Sequence, residues 1–272
     1  MRLFNYFFYL ALALILIGCG NDYDYYNGLL NIKQIKTIDN IANSISVVDL
    51  SYNSNGELEG YSESVNGGTY SKYNYKFSNL SLEVNSDTIY VNDSSKKEVK
   101  LIFSIDDINH LLTEVKEVNS LWSREYTEIN KFNYVLNYDS SDKLESIICS
   151  NGTKYLYTWA GTLLVRIEYL KYKEVVWVGN IRYDESIDNP NTNLDLFREF
   201  AINLSIVPKL FEGVPLNMGL KVACLPQALE VTTALGSFNY SFSYDFNKDN
   251  NIRALEVCGK DGKALKSVFV GY

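Results

Sequence analysis

His110 is the only histidine in the chain, so a Ser-His-Asp or Cys-His arrangement has one possible centre and a two-histidine zinc site has none. It shares a slot in a recurring octapeptide with Glu57 and Lys143, a slot open to any polar residue, and reads as an exposed turn residue. No Gly-x-Ser-x-Gly elbow, phosphate-cradling glycine loop or His-Glu-x-x-His helix occurs. Asp245, Asn247, Asp249 and Glu256 fall at ligand positions of a calcium-type loop, with Ile252 at its apolar position. Asn250 stands where that loop wants Gly, and both flanks alternate with period two. The stretch is therefore expected to be a lengthened hairpin, with no metal. With 33 Asp and Glu side chains, a glycosidase-like carboxylate pair is chemically available, but no spacing selects two of them. Beyond Cys19, only Cys149, Cys224 and Cys258 remain, which allows at most one bridge. Cys149 and Cys258 each lie near the end of an expected strand and are the pair that could meet. Neither catalytic residues nor a cofactor are expected.

The residue with the most definite chemistry is Cys19. Arg2 precedes an apolar run from Phe7 to Ile17 that breaks off at Gly18-Cys19, a layout too short to span a bilayer and typical of a secretory signal. Leu16-Ile17-Gly18-Cys19 resembles the lipobox of bacterial lipoproteins, in which the cysteine is acylated and becomes the new N-terminus. Two or three acyl chains, at about 0.8 kcal/mol per buried methylene, make a stable anchor. The expected organisation is a lipoprotein signal peptide at 1–18, an anchor and flexible tether at 19–30, and a single domain at 31–272. The protein is thus expected in the envelope, at the outer membrane, facing the periplasm or the outside.

The chain has 25 basic and 33 acidic side chains, for a net charge of −8, and cleavage after Gly18 would remove Arg2 as well. That balance disfavours nucleic acid and anionic lipid as partners. Tyrosine is over-used, with 22 Tyr against 13 Phe and 3 Trp, a composition suited to half-buried strands. The octapeptide reads Ser/Asn, Tyr/Ile, Asp/Asn, two variable residues, Gly/Asp/Asn, one variable residue, Leu. It occurs at 51–58, 104–111 and 137–144, with a longer copy from Ser243 to Ile252. Asp or Asn opens such a turn through its side chain, and the later Gly, Asn or Asp takes the left-handed position. Each copy is expected to join two strands.

Period-two alternation supports this. Phe238, Tyr240, Phe242, Tyr244 and Phe246 share one face, as do Tyr73, Tyr75 and Phe77, and Tyr155, Tyr157 and Trp159. An antiparallel sheet with one covered face follows. Leu194 to Leu204 carries the apolar stripe of one short helix, and Asp106 to Val118 reads as turn plus strand despite a helical spacing of leucines. The expected fold is all-β: a meander of hairpins forming a curved sheet, half-barrel or sandwich with one helix.

The repeat, the lipobox, Tyr155-Leu156-Tyr157-Thr158-Trp159 and Leu194-Asp195-Leu196 together resemble an uncharacterised family of Bacteroides-type lipoproteins with Tyr-Asp hairpin repeats. That resemblance implies a β-rich secreted domain and supplies no catalytic residue. Asp87-Thr88-Ile89 is similar to the short O-glycosylation acceptor of such bacteria. The function expected is non-catalytic binding or scaffolding, of glycan or an envelope partner. The alternative is a carboxylate-dependent polysaccharide hydrolase.

Overall fold

A computed structural model describes residues 32–54, 58–66, 69–78, 81–90, 95–108, 111–122, 127–190, 207, 218–220 and 222–272. They form sixteen strands: β1 (Gln34–Asp39), β2 (Ser44–Tyr52), β3 (Leu58–Val65), β4 (Thr69–Ser78), β5 (Ser81–Tyr90), β6 (Ser95–Ile105), β7 (Leu112–Trp122) and β8 (Thr127–Tyr138). Then follow β9 (Leu144–Cys149), β10 (Thr153–Ala160), β11 (Leu163–Lys171), β12 (Glu174–Asp188), β13 (Cys224–Thr233), β14 (Gly236–Phe246), β15 (Ile252–Cys258) and β16 (Ala264–Gly271). Each strand pairs antiparallel with its sequence neighbours, and β1 pairs with β16 from Gln34↔Gly271 to Asp39↔Lys266. The barrel is closed.

This corrects the expected curved sheet, half-barrel or sandwich. The seam between β1 and β16 joins the two ends of the chain, and no local pattern announces such a pairing. There is no helix among the described residues; the 194–204 segment lies outside them, as do Cys19, Glu57 and His110. Pro226 sits inside β13, and the last three strands form two hairpins, β14–β15 and β15–β16.

Alternation decides which face turns inward. Leu82, Phe103, Leu112, Val115, Leu144, Ile147, Leu164 and Ile167 have 0% exposure and belong to one apolar cluster running through strands all round the barrel. A sixteen-stranded barrel of circular section would hold an aqueous channel. Here the interior is filled instead: Val207, Met218, Leu220 and Val222 of the β12–β13 connection join the strand residues in one packed core.

Consecutive turns alternate between two ends. The four octapeptide turns, β2–β3, β6–β7, β8–β9 and β14–β15, all fall at one of them, here the repeat end. At β8–β9, Asp139 Oδ1 accepts from the amides of Ser141 (2.7 Å) and Lys143 (3.0 Å), the Asp142 amide donates to Asp139 O, and Asp142 has φ 61°. Those two amides hold the Asp139 carboxyl below the usual carboxylate range. At β14–β15, Asn247 Oδ1 accepts from Asp249 and Asn251, and Asn250 has φ 62°. The geometry is the same, so the repeat copy begins at Asp245 and has ordinary length; the longer copy starting at Ser243 is corrected. These are type I turns followed by a left-handed residue, the bulged hairpin loop that suits right-handed strand twist.

The bulges at this end disrupt the ladder and leave strand-opening carbonyls to be satisfied otherwise. Aromatic donors do so. Tyr138 on β8 donates to Leu112 O (2.5 Å), Trp159 on β10 to Leu144 O (2.9 Å), and Tyr183 on β12 to Leu164 O (2.8 Å). Tyr244 on β14 donates to Pro226 O (2.6 Å), Tyr272 to Ile252 O (2.8 Å), and Tyr52 on β2 to Ile32 O (2.6 Å) at the seam. Each donor sits on or just beyond an even strand, toward the repeat end, and bonds a residue at or near the start of the preceding odd strand. Tyr52 and Tyr138, the Tyr of two repeat copies, are among these locks between strands. Tyr138→Phe keeps the ring and strands the Leu112 carbonyl, so urea unfolding should show a loss of about 1–2 kcal/mol. Tyr172→Phe, on a side chain 71% exposed, should show none; equal midpoints for the two variants would sink the lock.

Candidate functional site

Several inward-facing residues at the far end are polar or only partly covered. Glu63, Val65, Thr88, Val99, Tyr169 and Tyr240 are only half-buried, and Phe238, on the same face as the buried Phe242, is 46% exposed. Polar residues occupy inward slots here. Ser46 donates to Glu63 Oε1 (2.9 Å), Ser71 and Thr88 hydroxyls meet at 2.9 Å, and the Tyr134 hydroxyl donates to Glu117 Oε2 (3.2 Å). Lys266, on β16, is 8% exposed. Cross-strand pairs Val48↔Glu63, Glu63↔Ser71 and Ser71↔Thr88 set these groups side by side on β2 to β5.

Aromatic rings occupy other inward slots. Tyr155, Tyr169 and Trp177 follow one another across β10 to β12 with centroid separations of 4.9 and 6.0 Å. Tyr61 and Tyr73 stack at 4.1 Å on β3 and β4. The far end of the barrel thus mixes inward hydroxyls, carboxylates and aromatic rings above the apolar core.

The residues singled out by sequence go elsewhere. Asp245 points outward and is bonded by Arg253, whose Nε lies 2.9 Å away. Asn247 spends its side chain on the turn, and Glu256 stands opposite Ser243, two rungs from Asp245. Among the described residues no cluster of three or more His, Cys, Asp or Glu could hold a metal. Cys149, Cys224 and Cys258 form no disulfide. Burial pushes the Cys258 thiol up, with Glu256 and Asp261 adding to the effect, so it is a poor nucleophile at neutral pH. Thr88, of the glycosylation-like Asp87-Thr88-Ile89, is a half-buried inward residue bonded to Ser71. Sequence reasoning missed Glu63, Ser71, Glu117 and Lys266. Their only signal is a polar residue in an inward slot, visible once register is known.

A recess of about 190 Å³ opens where β12 and β13 splay between Tyr183↔Pro226 and Asp188↔Cys224. Phe242, Tyr244 and Phe246 line it, with Asp184, Gln227 and Ser243. It is below the usual size of a small-molecule site.

The outer surface carries charge on most sides. Lys72 and Lys76 on β4, Lys100 on β6, Lys116 on β7, Lys131 on β8, Arg182 on β12, Glu230 on β13 and Arg253 on β15 are exposed. Lys100 pairs with Glu83 at 2.9 Å and Arg166 with Glu168 at 2.9 Å. A Lys or Arg facing lipid costs roughly 2–4 kcal/mol at the bilayer midplane. Charges spread round the circumference make this an aqueous surface. The apolar face that a transmembrane barrel shows to lipid is here turned inward.

No protein-family model matches the sequence, and no curated protein does. Solved structures match in fold. One is a porin-like protein from Bacteroides vulgatus ATCC 8482, with TM-score 0.59 and 16% identity over 89% of this chain and 98% of that one. Another is a porin-like protein from Bacteroides uniformis ATCC 8492, with TM-score 0.51 and 13% identity over 88% of this chain and 96% of that one. At these identities the likeness is one of fold, and what this chain shares with both is the barrel.

Proposed function

We propose that this is a non-catalytic envelope protein of the outer membrane, anchored by lipid on Cys19, whose barrel stands in water and binds or scaffolds an envelope component. The observation that carries the reading is the charged outer face of a closed barrel with a packed interior. Such a barrel has no lipid-facing band and no channel, so an attachment other than its strands is needed. The lipobox-like Leu16-Ile17-Gly18-Cys19 supplies one, and the porin-like neighbours are consistent with an outer-membrane setting.

In cells fed radiolabelled palmitate, the wild-type protein should carry label and sediment with membranes. Cys19→Ala should lose the label and appear folded in the soluble fraction without detergent. An unlabelled wild type, or a variant that resists carbonate extraction, would overturn the reading.

A further inference from the structure

We propose that the barrel rests on a phospholipid bilayer through its far end, with the β11–β12 and β13–β14 tips reaching headgroup depth while the walls stay in water. The inference goes beyond the lipid anchor proposed above and rests on it for bringing the barrel near a membrane. Four consecutive hairpins, β11–β12, β13–β14, β15–β16 and, across the seam, β1–β2, turn at this end. Their turns present Tyr172 at 71% exposure, Leu235 at 94% and Ile41 at 47%. The register Trp177↔Thr233 sets exposed Val175 and Val176 beside the Ala234-Leu235 turn, which adds apolar surface between the first two tips. Tyr172 and Lys173 are the turn residues between paired Lys171 and Glu174, and both have left-handed backbone, φ 50° and 73°. Asn-Gly takes such a turn without strain. The chain bears strain here to project a phenol ring and an ammonium group.

Charge selects lipid as the occupant. Lys171, Lys173, Lys260 and Lys263 are exposed on this arc, against Asp39, Glu174 and Asp261. At the repeat end the described hairpin turns carry Asp106, Asp107, Asp139, Asp142 and Asp249 against Lys143 and Lys248. An anionic surface therefore attracts the far end and repels the other, although the whole chain carries −8. The Lys171 ammonium lies 5.8 Å from the centroid of the Tyr172 ring. Ring and cation together suit an interface, where tyrosine sits at headgroup level and lysine reaches phosphate. Neighbouring tips are about 10 Å apart, two strand spacings. Points so separated enter a bilayer one by one, whereas a protein partner needs a continuous, closely packed surface. A stretch as long as 19–30 reaches at most about 40 Å, against roughly 36 Å along a strand as long as β6. Attachment at Cys19 therefore permits either end of the barrel to face the bilayer.

The test uses the full-length protein, as its host processes it, reconstituted into vesicles of phosphatidylethanolamine, phosphatidylglycerol and phosphatidylcholine brominated on its acyl chains. Bromine there quenches only tryptophan that enters the bilayer. Leu235→Trp and Tyr172→Trp should each add emission that is quenched severalfold more than the emission added by Ile108→Trp. Ile108 is 79% exposed on the β6–β7 turn at the opposite end, and the wild type supplies the background of its own tryptophans. Lys171→Glu and Lys173→Glu, placed in Leu235→Trp, should lower tip occupancy roughly fivefold per charge. All these side chains are exposed, and near-UV circular dichroism verifies the fold of each variant. Quenching no greater in Leu235→Trp and Tyr172→Trp than in Ile108→Trp overturns the inference. So does blue-shifted emission that bromine leaves untouched, which a second copy or a protein partner covering the tips would give. Palmitate labelling of the same preparation separates the two readings. Labelled protein without quenching removes the tip contact alone, while quenched tips on unlabelled protein remove the lipid anchor alone.

Discussion

Between pH 10 and 12 the barrel should unfold cooperatively, with tyrosine ionisation at 295 nm and loss of near-UV circular dichroism following one transition. Burial pushes the Tyr52 phenol up to about 12, and it raises Tyr134, Tyr183 and Tyr244 further still. Glu117 beside Tyr134 adds to the effect there. Three of the four, Tyr52, Tyr183 and Tyr244, are strand locks whose hydroxyls must keep their protons to donate. In the unfolded chain a phenol ionises near pH 10. Below that pH both states hold the proton and the contribution of these groups is fully present. Above it the unfolded state releases protons that the native state retains, so stability falls as pH rises, until the folded phenols themselves ionise. Each retained proton costs about 1.4 kcal/mol per pH unit. Four would give on the order of 5 kcal/mol per unit, less whatever the partly exposed Tyr52 fails to hold, against a total stability of roughly 5–15 kcal/mol. Tyr244→Phe should lower the steepness of the alkaline limb by about one proton while reducing stability at neutral pH. Tyrosines that all titrate gradually near pH 10, with the near-UV signal intact, would show that the locks are solvated.

The hairpins themselves are legible in the sequence because their determinants are local. Asp139 and Asn247 open turns through their own side chains, Asp142 and Asn250 take left-handed backbone, and Phe242, Tyr155 and Tyr157 are buried where period two puts them. What the residues do not disclose is how the two ends of the meander meet. A row of alternating strands describes an open sheet and a barrel equally well, because closure depends on the pairing of β1 with β16 over the length of the chain. The direction in which the apolar face turns is hidden for the same reason. Tyr73 between Lys72 and Asn74 has the same alternation whether the aromatic looks at lipid or at a core; the closed barrel with Leu82 and Phe103 fully buried decides for the core. The inward polar residues are harder to see still. Glu63 and Lys266 look like ordinary strand-surface charges until the register places them inside. The calcium-like spacing at Asp245 to Glu256 misleads in the opposite direction, since spacing along the chain says nothing about convergence when the chain folds back as a hairpin.

Gly219→Ala should cost on the order of 3 kcal/mol, because two strains combine at one residue. Gly219 has φ +63°, and a Cβ there would lie 2.4 Å from the Asp142 carbonyl oxygen and 3.0 Å from the Leu144 nitrogen. Both contacts are backbone, so no side chain can swing aside. Gly219 belongs to the connection between β12 and β13 and reaches over the repeat end to the β8–β9 turn, where its carbonyl accepts from the Leu144 amide at 3.2 Å. Leu144 is fully buried and its own carbonyl accepts from Trp159, so this residue is fixed on both sides of its peptide. Moving the connection outward to admit a methyl group would release the amide and open the core beside it. Gly262→Ala is the matched control, with φ +74° and open space where the Cβ would go. It should lose only the left-handed penalty, roughly 1 kcal/mol. Urea midpoints give both losses, and amide hydrogen exchange at Leu144 should accelerate in the Gly219 variant alone. Equal losses with unchanged Leu144 protection would mean that the connection yields freely at Gly219 and is no part of what closes the repeat end.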